Sequence, residues 1–150
     1  MQLILIVKER LNYIVEEILA FAKDKIAMII LFGSYARGTW VQDVYKEGHI
    51  TYSYSSDLDI MLVLRKSKYN RYTASTMEHD IIKRLENKGL AWPPMTLPTS
   101  PSIEEVREHI KIPSVSLIVE SITRANKELE KRPYFFTDIK NEGLLLYDNR

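Results

Sequence analysis

The chain alternates between segments with a helical hydrophobic period and short runs that are apolar throughout. Leu11, Ile14, Val15, Ile18, Leu19 and Ala22 recur at three- and four-residue steps, predicting an amphipathic helix over residues from about 4 to 23. Ile26 to Phe32 is continuously apolar and closes on Gly33, the pattern of a buried strand entering a tight turn. Ser34 to Gly38 is short and turn-like or helical. From Thr39 to Ser55 the period changes. Ile50, Tyr52 and Tyr54 alternate with Thr51, Ser53 and Ser55 behind Glu47-Gly48, so a hairpin inserted at about 39–55 is expected.

Asp57 to Leu64 predicts a second buried strand with carboxylates at its start. Met77, Ile81, Ile82 and Leu85 mark another helix, stopped near Asn87-Lys88-Gly89. Four prolines between Trp92 and Pro101 impose an irregular connection. Ser102 and Glu105 stand at capping-box spacing, opening a short helix to about Ile110. Val115 to Glu120 reads as a third strand. A helix through Ile122, Ala125 and Leu129, a turn or helix around Pro133 to Glu142, and a strand at Leu144 to Tyr147 complete the chain. Helices and strands in that order predict an α/β (or α+β) domain: a small mixed β-sheet flanked by helices.

Composition narrows the chemistry. The chain's 150 residues give room for a single domain spanning 1–150, and 45% apolar with 27% charged residues is a globular balance. With 21 basic against 20 acidic residues the net charge is +1, so no global field draws in nucleic acid or an anionic membrane. The absence of cysteine excludes disulfides, thiolate catalysis and cysteine-bound zinc. Three scattered histidines (His49, His79, His109) argue against a histidine-rich metal site. The apolar run at Leu3–Val7 is five residues long and is followed at once by Lys8-Glu9-Arg10, unlike a secretory signal. No segment nears the roughly 20 apolar residues needed to cross a bilayer, and a cytoplasmic location is expected.

Two neighbouring features carry candidate chemistry. In Ser56-Asp57-Leu58-Asp59-Ile60-Met61, strand alternation would turn Asp57 and Asp59 to one side, roughly 6.5–7 Å apart at Cα. Two carboxylates so spaced can share hard divalent cations, Mg²⁺ or Mn²⁺, in the arrangement used for phosphoryl and nucleotidyl displacement. Most D-x-D pairs simply begin a solvated strand, but Ile60 to Leu64 is wholly apolar and leaves no solvated face. In Leu31-Phe32-Gly33-Ser34-Tyr35-Ala36-Arg37-Gly38, Gly33 permits close backbone approach to a ligand and Ser34 offers a hydroxyl. Arg37 can grip a phosphate through two donors. Together the turn and the acids supply the two halves of a Mg–triphosphate site. Weaker candidates are Trp40, Tyr45, Tyr52 and Tyr54, which could stack a base or merely pack the hairpin. Arg65, Lys66 and Lys68 form a basic cluster and His79 a surface position.

This combination resembles the DNA polymerase β-like nucleotidyltransferase superfamily, in which a strand, Gly-Ser, a short helix and a D-x-D strand follow one another. Gly33-Ser34-Tyr35-Ala36-Arg37-Gly38 is similar to the G-S-x-A-R-G form of the minimal nucleotidyltransferases. The tail from Pro133 to Tyr147 and the tyrosine-rich hairpin resemble the subgroup paired or fused with HEPN domains. The resemblance implies a palm-like nucleotidyltransferase fold. It also implies Gly33 and Ser34 on the β- and γ-phosphates, Asp57 and Asp59 on Mg²⁺ (or Mn²⁺), and Arg37 supporting the phosphates. ATP or another NTP is the implied substrate, the implied acceptor is a hydroxyl, and a HEPN-domain protein in cis or trans is an implied partner of an antitoxin. The chain departs from the pattern twice. Residues 35–56, 22 in all, separate Ser34 from Asp57, more than is common in the superfamily. A third carboxylate is expected on a neighbouring strand, where Ser116 stands. Glu120, four residues further on the same face, is the candidate substitute. The alternative to an active enzyme is a catalytically weakened nucleotide-binding or protein-interaction domain.

Overall fold

The protein is described by a computed structural model over residues 5–65, 71–93, 97–122, 127 and 139–149. Its elements are, in order, α1 (Leu5–Ala22), β1 (Ile26–Phe32), α2 (Gly33–Arg37), β2 (Gln42–Glu47), β3 (Ile50–Ser55), β4 (Leu58–Leu64), α3 (Arg71–Asn87), α4 (Ile103–Ile110), β5 (Val115–Ser121) and β6 (Leu144–Asp148). Residues 139–142 are also helical. Of the expected helix through Ile122, Ala125 and Leu129 only Ile122 and Lys127 are described, both helical; the rest of it and most of the segment from Pro133 lie outside the described residues, as do Lys66 and Lys68. Among the described residues no helix is long and apolar enough to cross a membrane.

Four strands form a mixed sheet in the order β5-β4-β1-β6. β1 lies antiparallel to both β4 and β6, and β4 lies parallel to β5. The two continuous apolar runs are thus the two inner strands, where both faces need cover and alternation has no use. On one face Ile29, Leu31, Ile60, Leu62, Leu117 and Val119 meet Leu11, Ile14 and Ile18 of α1 and Met77, Ile81 and Leu85 of α3. The helical period read from the sequence is the stripe that covers this face. The second face carries Phe32, Met61 and Val63, with Ile139 packed against them. An arrangement of helices around a small mixed sheet agrees with the fold class expected from the pattern.

The hairpin β2–β3 is a separate two-stranded sheet. Its turn is Gly48-His49, with positive φ at Gly48 alone, as a two-residue type II′ connection needs. Val44 faces inward onto Val106 and Ile110 of α4. The opposite face presents the stacked pair Tyr45–Tyr52, ring centroids 5.1 Å apart, and Tyr54, which is 63% exposed. α4 begins with a complete capping box. Ser102 Oγ accepts from the Glu105 amide and Glu105 Oε1 from the Ser102 amide, both at 3.1 Å.

Candidate active site

The site forms where β1 stops. Phe32 is in register with Asp59 on β4, and Asp59 in turn with Ser116 on β5, so three strands present these positions at one end of the sheet. Because 59, 61 and 63 share a face, Asp59 is the polar end of the row that continues as Met61 and Val63. Gly33 follows with φ +75°, a left-handed conformation that other residues adopt at a cost. A Cβ built on Gly33 would overlap Asp59 Oδ2 and lie 3.3 Å from Asp59 Cβ. The glycine is therefore the space that the carboxylate occupies. Phe32, Gly33, Arg37 and Asp59 share a cavity of about 390 Å³ with Ser116, Ile118, Ile139 and Glu142.

α2 is held from behind. Tyr35 is fully buried and stacks on Trp40 with ring centroids 5.3 Å apart and planes 1° from parallel. Gln42 Nε2 reaches both the Tyr35 hydroxyl at 3.4 Å and the Lys111 carbonyl at 3.1 Å, so the base of the hairpin braces the helix. Burial pushes the Tyr35 phenol above its ordinary pKa. Trp40 thus packs rather than offering a free stacking face. Ser34 is half-buried in the first turn of α2, and its carbonyl accepts from Gly38 and, at 2.8 Å, from Thr39. Gly38, at φ +77° and ψ 21°, ends the helix, which leaves Arg37 at its last position directed into the cavity.

Electrostatics mark Asp59. Its carboxyl is raised above the ordinary carboxylate value, first by burial and then by the negative charge of Asp57. The Arg37 charge and a hydrogen bond donated by Ser116 oppose that rise. Asp57 is exposed and precedes the first residue of β4 rather than belonging to it. Its charge nonetheless acts on Asp59 and on Tyr35. Asp59 in the cavity wall and the exposed Asp57 whose charge acts on it are oxygen donors whose repulsion a hard divalent cation would relieve. Among the described residues no group of three or more His, Cys, Asp or Glu is placed to hold a metal ion. A cation here would take one or two carboxylates and complete its shell with water and phosphate oxygens, which is the habit of Mg²⁺.

Glu120 does not join this group. It pairs in register with Val63, four residues along β5 from Ser116, which is about 13 Å at the rise of a strand. Alternation places it on the correct face, but it is buried far from Asp59, so the position beside the acids belongs to Ser116. Arg65 also points elsewhere: its guanidinium donates to the Ile26 carbonyl at 3.1 Å, at the opposite end of β1. His79 is exposed on α3. The carboxylate that pattern reasoning missed is Glu142, whose Oε2 lies 3.8 Å from Arg37 Nε. Only a Glu-Gly step before an apolar run hinted at it, because the pairing of β6 with β1 brings it to the site.

No protein-family model and no curated protein matches this chain. It is similar to a solved structure from Sulfolobus solfataricus described as "a putative nucleotidyltransferase", at 15% identity and a TM-score of 0.47, covering 95% of this chain and 81% of that one.

Proposed function

We propose that the protein is a nucleotidyltransferase, moving a nucleoside monophosphate from a Mg-bound nucleoside triphosphate, ATP in the first instance, to an acceptor hydroxyl. The observation that carries this reading is the seating of the Asp59 carboxylate in the space left by Gly33, beside Asp57 and Arg37. Phosphate-binding backbone and metal-binding acid are thereby one structure. In this reading Asp57 and Asp59 hold Mg²⁺ or Mn²⁺, which neutralises phosphate charge and withdraws electrons from the reacting phosphorus when bound. Gly33 allows the triphosphate to approach the backbone, the Ser34 hydroxyl and nearby amides hydrogen-bond its oxygens, and Arg37 donates to them.

The acceptor oxygen forms a bond to the α-phosphorus while the bond from that phosphorus to the bridging oxygen of the β-phosphate breaks. Pyrophosphate leaves with the bonding pair, and the acceptor's proton passes to solvent. Phe32, Ile118 and Ile139 wall the cavity with apolar surface, which limits competing water. The acceptor we favour is a hydroxyl on a HEPN-type partner protein, the likeness of the tail and the hairpin to HEPN-associated domains being its support. Transfer of label from α-³²P-ATP to a candidate HEPN protein is the test. Labelling by wild type that disappears with Asp57→Asn and Asp59→Asn supports the reading, whereas equal labelling by those variants would defeat it.

Ser116 favours a second reading. A hydroxyl that donates to Asp59 cannot serve as a base near neutral pH, and general-base catalysis is typically worth roughly 10²–10⁴-fold. A protein that binds Mg-ATP without turning it over would be a nucleotide sensor or scaffold. Calorimetry separates the two, since metal-dependent binding without product over hours indicates the sensor.

A further inference from the structure

Arg37 is the sole cation among the described residues lining the cavity, and two carboxylates share it. Its charge lowers the pKa of Asp59, and its Nε lies 3.8 Å from Glu142 Oε2. Glu142 reaches this place through topology. β6 runs antiparallel to β1 with Leu144 opposite Leu31, so the residues before Leu144 stand beside those after Leu31, at the Gly33 corner. The approach is rigid. A Cβ on Gly143 would meet the Ile139 carbonyl and lie 2.8 Å from Ile30 Cγ2, and the Gly143 amide donates to the Ile139 carbonyl at 2.9 Å. Ile139 itself is buried against Phe32 and Met61. The backbone holding Glu142 is thus pressed onto β1 while its side chain remains 47% exposed. At 3.8 Å the contact is an ion pair and not a hydrogen bond, so the guanidinium keeps its donors available.

We propose that Glu142 is a displaceable counter-ion for Arg37, a positioning residue that keeps the guanidinium over the cavity in the nucleotide-free protein and yields it to phosphate oxygens when a triphosphate enters. The inference rests on the reading of the cavity as a Mg–triphosphate site. Its signature is an inverted sign: removing the Glu142 charge strengthens phosphate binding, where a purely structural role for the residue would weaken it. The gain should match the strength of a half-exposed ion pair, roughly two- to five-fold in affinity.

Titration calorimetry of Mg-ATP and of magnesium with inorganic tripolyphosphate tests this on wild type, Glu142→Gln, Arg37→Ala and the double variant. Thermal melts verify that each is folded, and Glu142→Asp serves as the conservative variant. We expect both ligands to bind Glu142→Gln about two- to five-fold more tightly. In the Arg37→Ala background the same change should have little effect, and Glu142→Asp should stay near wild type. Before ligand is added, the Arg37 Nε–H signal in NMR spectra should shift, and broaden through faster exchange with water, towards that of a free arginine in Glu142→Gln. Unchanged or weaker binding by Glu142→Gln overturns the inference, as does a gain that persists in full without Arg37, which would mean simple repulsion. If wild type binds Mg-ATP and Asp59→Asn does not, such failures count against this inference alone. If wild type shows no metal-dependent binding, the nucleotide reading falls and takes the inference with it.

Discussion

Gly33 offers the sharpest perturbation because one added methyl group separates backbone strain from the geometry of the site. Gly33→Ala places a side chain at φ +75°, which costs about 1–2 kcal/mol for a residue with a Cβ. For a chain of this length that corresponds to a fall in melting temperature of roughly 2–8 °C. Gly89→Ala is the control: its φ is +69° and its Cβ would meet nothing within 4 Å, so it carries similar strain and no clash. Gly33→Ala should melt at or below the temperature of Gly89→Ala, since it adds the displacement of Asp59 to the same backbone strain. They should differ at the site, because the Gly33 Cβ falls on Asp59 Oδ2 and must drive the carboxylate aside. Losing one charge-assisted contact is worth roughly 1.5–3 kcal/mol, or about ten- to a hundred-fold in affinity for Mg-ATP. Calorimetry on both variants, with melts alongside, reads the two effects separately. Metal-dependent ATP binding by Gly33→Ala equal to that of Gly89→Ala would refute the claim that the glycine exists to seat the carboxylate.

Two further outcomes follow from the charges around Asp59. Its carboxyl is raised in the folded protein, so Asp59 contributes stability that is fully present below the ordinary carboxylate pKa and is lost as pH rises through the folded value. In metal-free buffer Asp59→Asn should therefore melt above wild type at pH 7, with the gap closing in acid. Mg-ATP should raise the melting temperature of wild type only, and a variant that melts lower at pH 7 would show that the acid is not under strain. Ser116→Asp puts a third carboxylate in register with Asp59. It should lower the stability of the metal-free protein and raise the transfer rate by roughly 10²-fold, the low end of the usual worth of a general base. A rate no higher than wild type, with Mg-ATP affinity intact, would mean that proton removal does not limit transfer.

What could be read in advance and what could not divide along the range of the interactions. The strands at Ile26–Phe32 and Leu58–Leu64 and the capping box at Ser102 are local, and a few residues of context specify them. Asp59 and Gly33 were legible as partners only because each sits at the end of a buried apolar run, which sends both to one end of a sheet. Asp57 is a partial miss. Alternation assumed it belonged to the strand, but β4 begins at Leu58, whose amide donates to the Ser114 carbonyl at 2.9 Å, and Asp57 stays exposed. The hairpin's alternation was also correct, yet periodicity could not say which row faces in. Val44 anchors the hairpin to α4, and among the described residues the tyrosines stand on the opposite, exposed face.

Glu120 and Glu142 show the same limit from opposite directions. Both are acids beside apolar strands, and periodicity favours Glu120, which shares a face with Ser116. Register reverses the preference: Glu120 is opposite Val63, deep along the sheet, while the antiparallel return of β6 brings Glu142 to the Gly33 corner. Strand order is a non-local property, fixed by which apolar faces can be covered together, and a single strand carries almost no information about it. The electrostatics follow from that order. Had β6 paired parallel to β1, its leading residues would lie at the Ile26 end and Arg37 would face Asp59 alone. Sharing the guanidinium between two acids leaves each of them incompletely neutralised. On the proposed reading, that shortfall is what a divalent cation would offset, and the cation's charge is what would let a phosphate chain enter beside the acids.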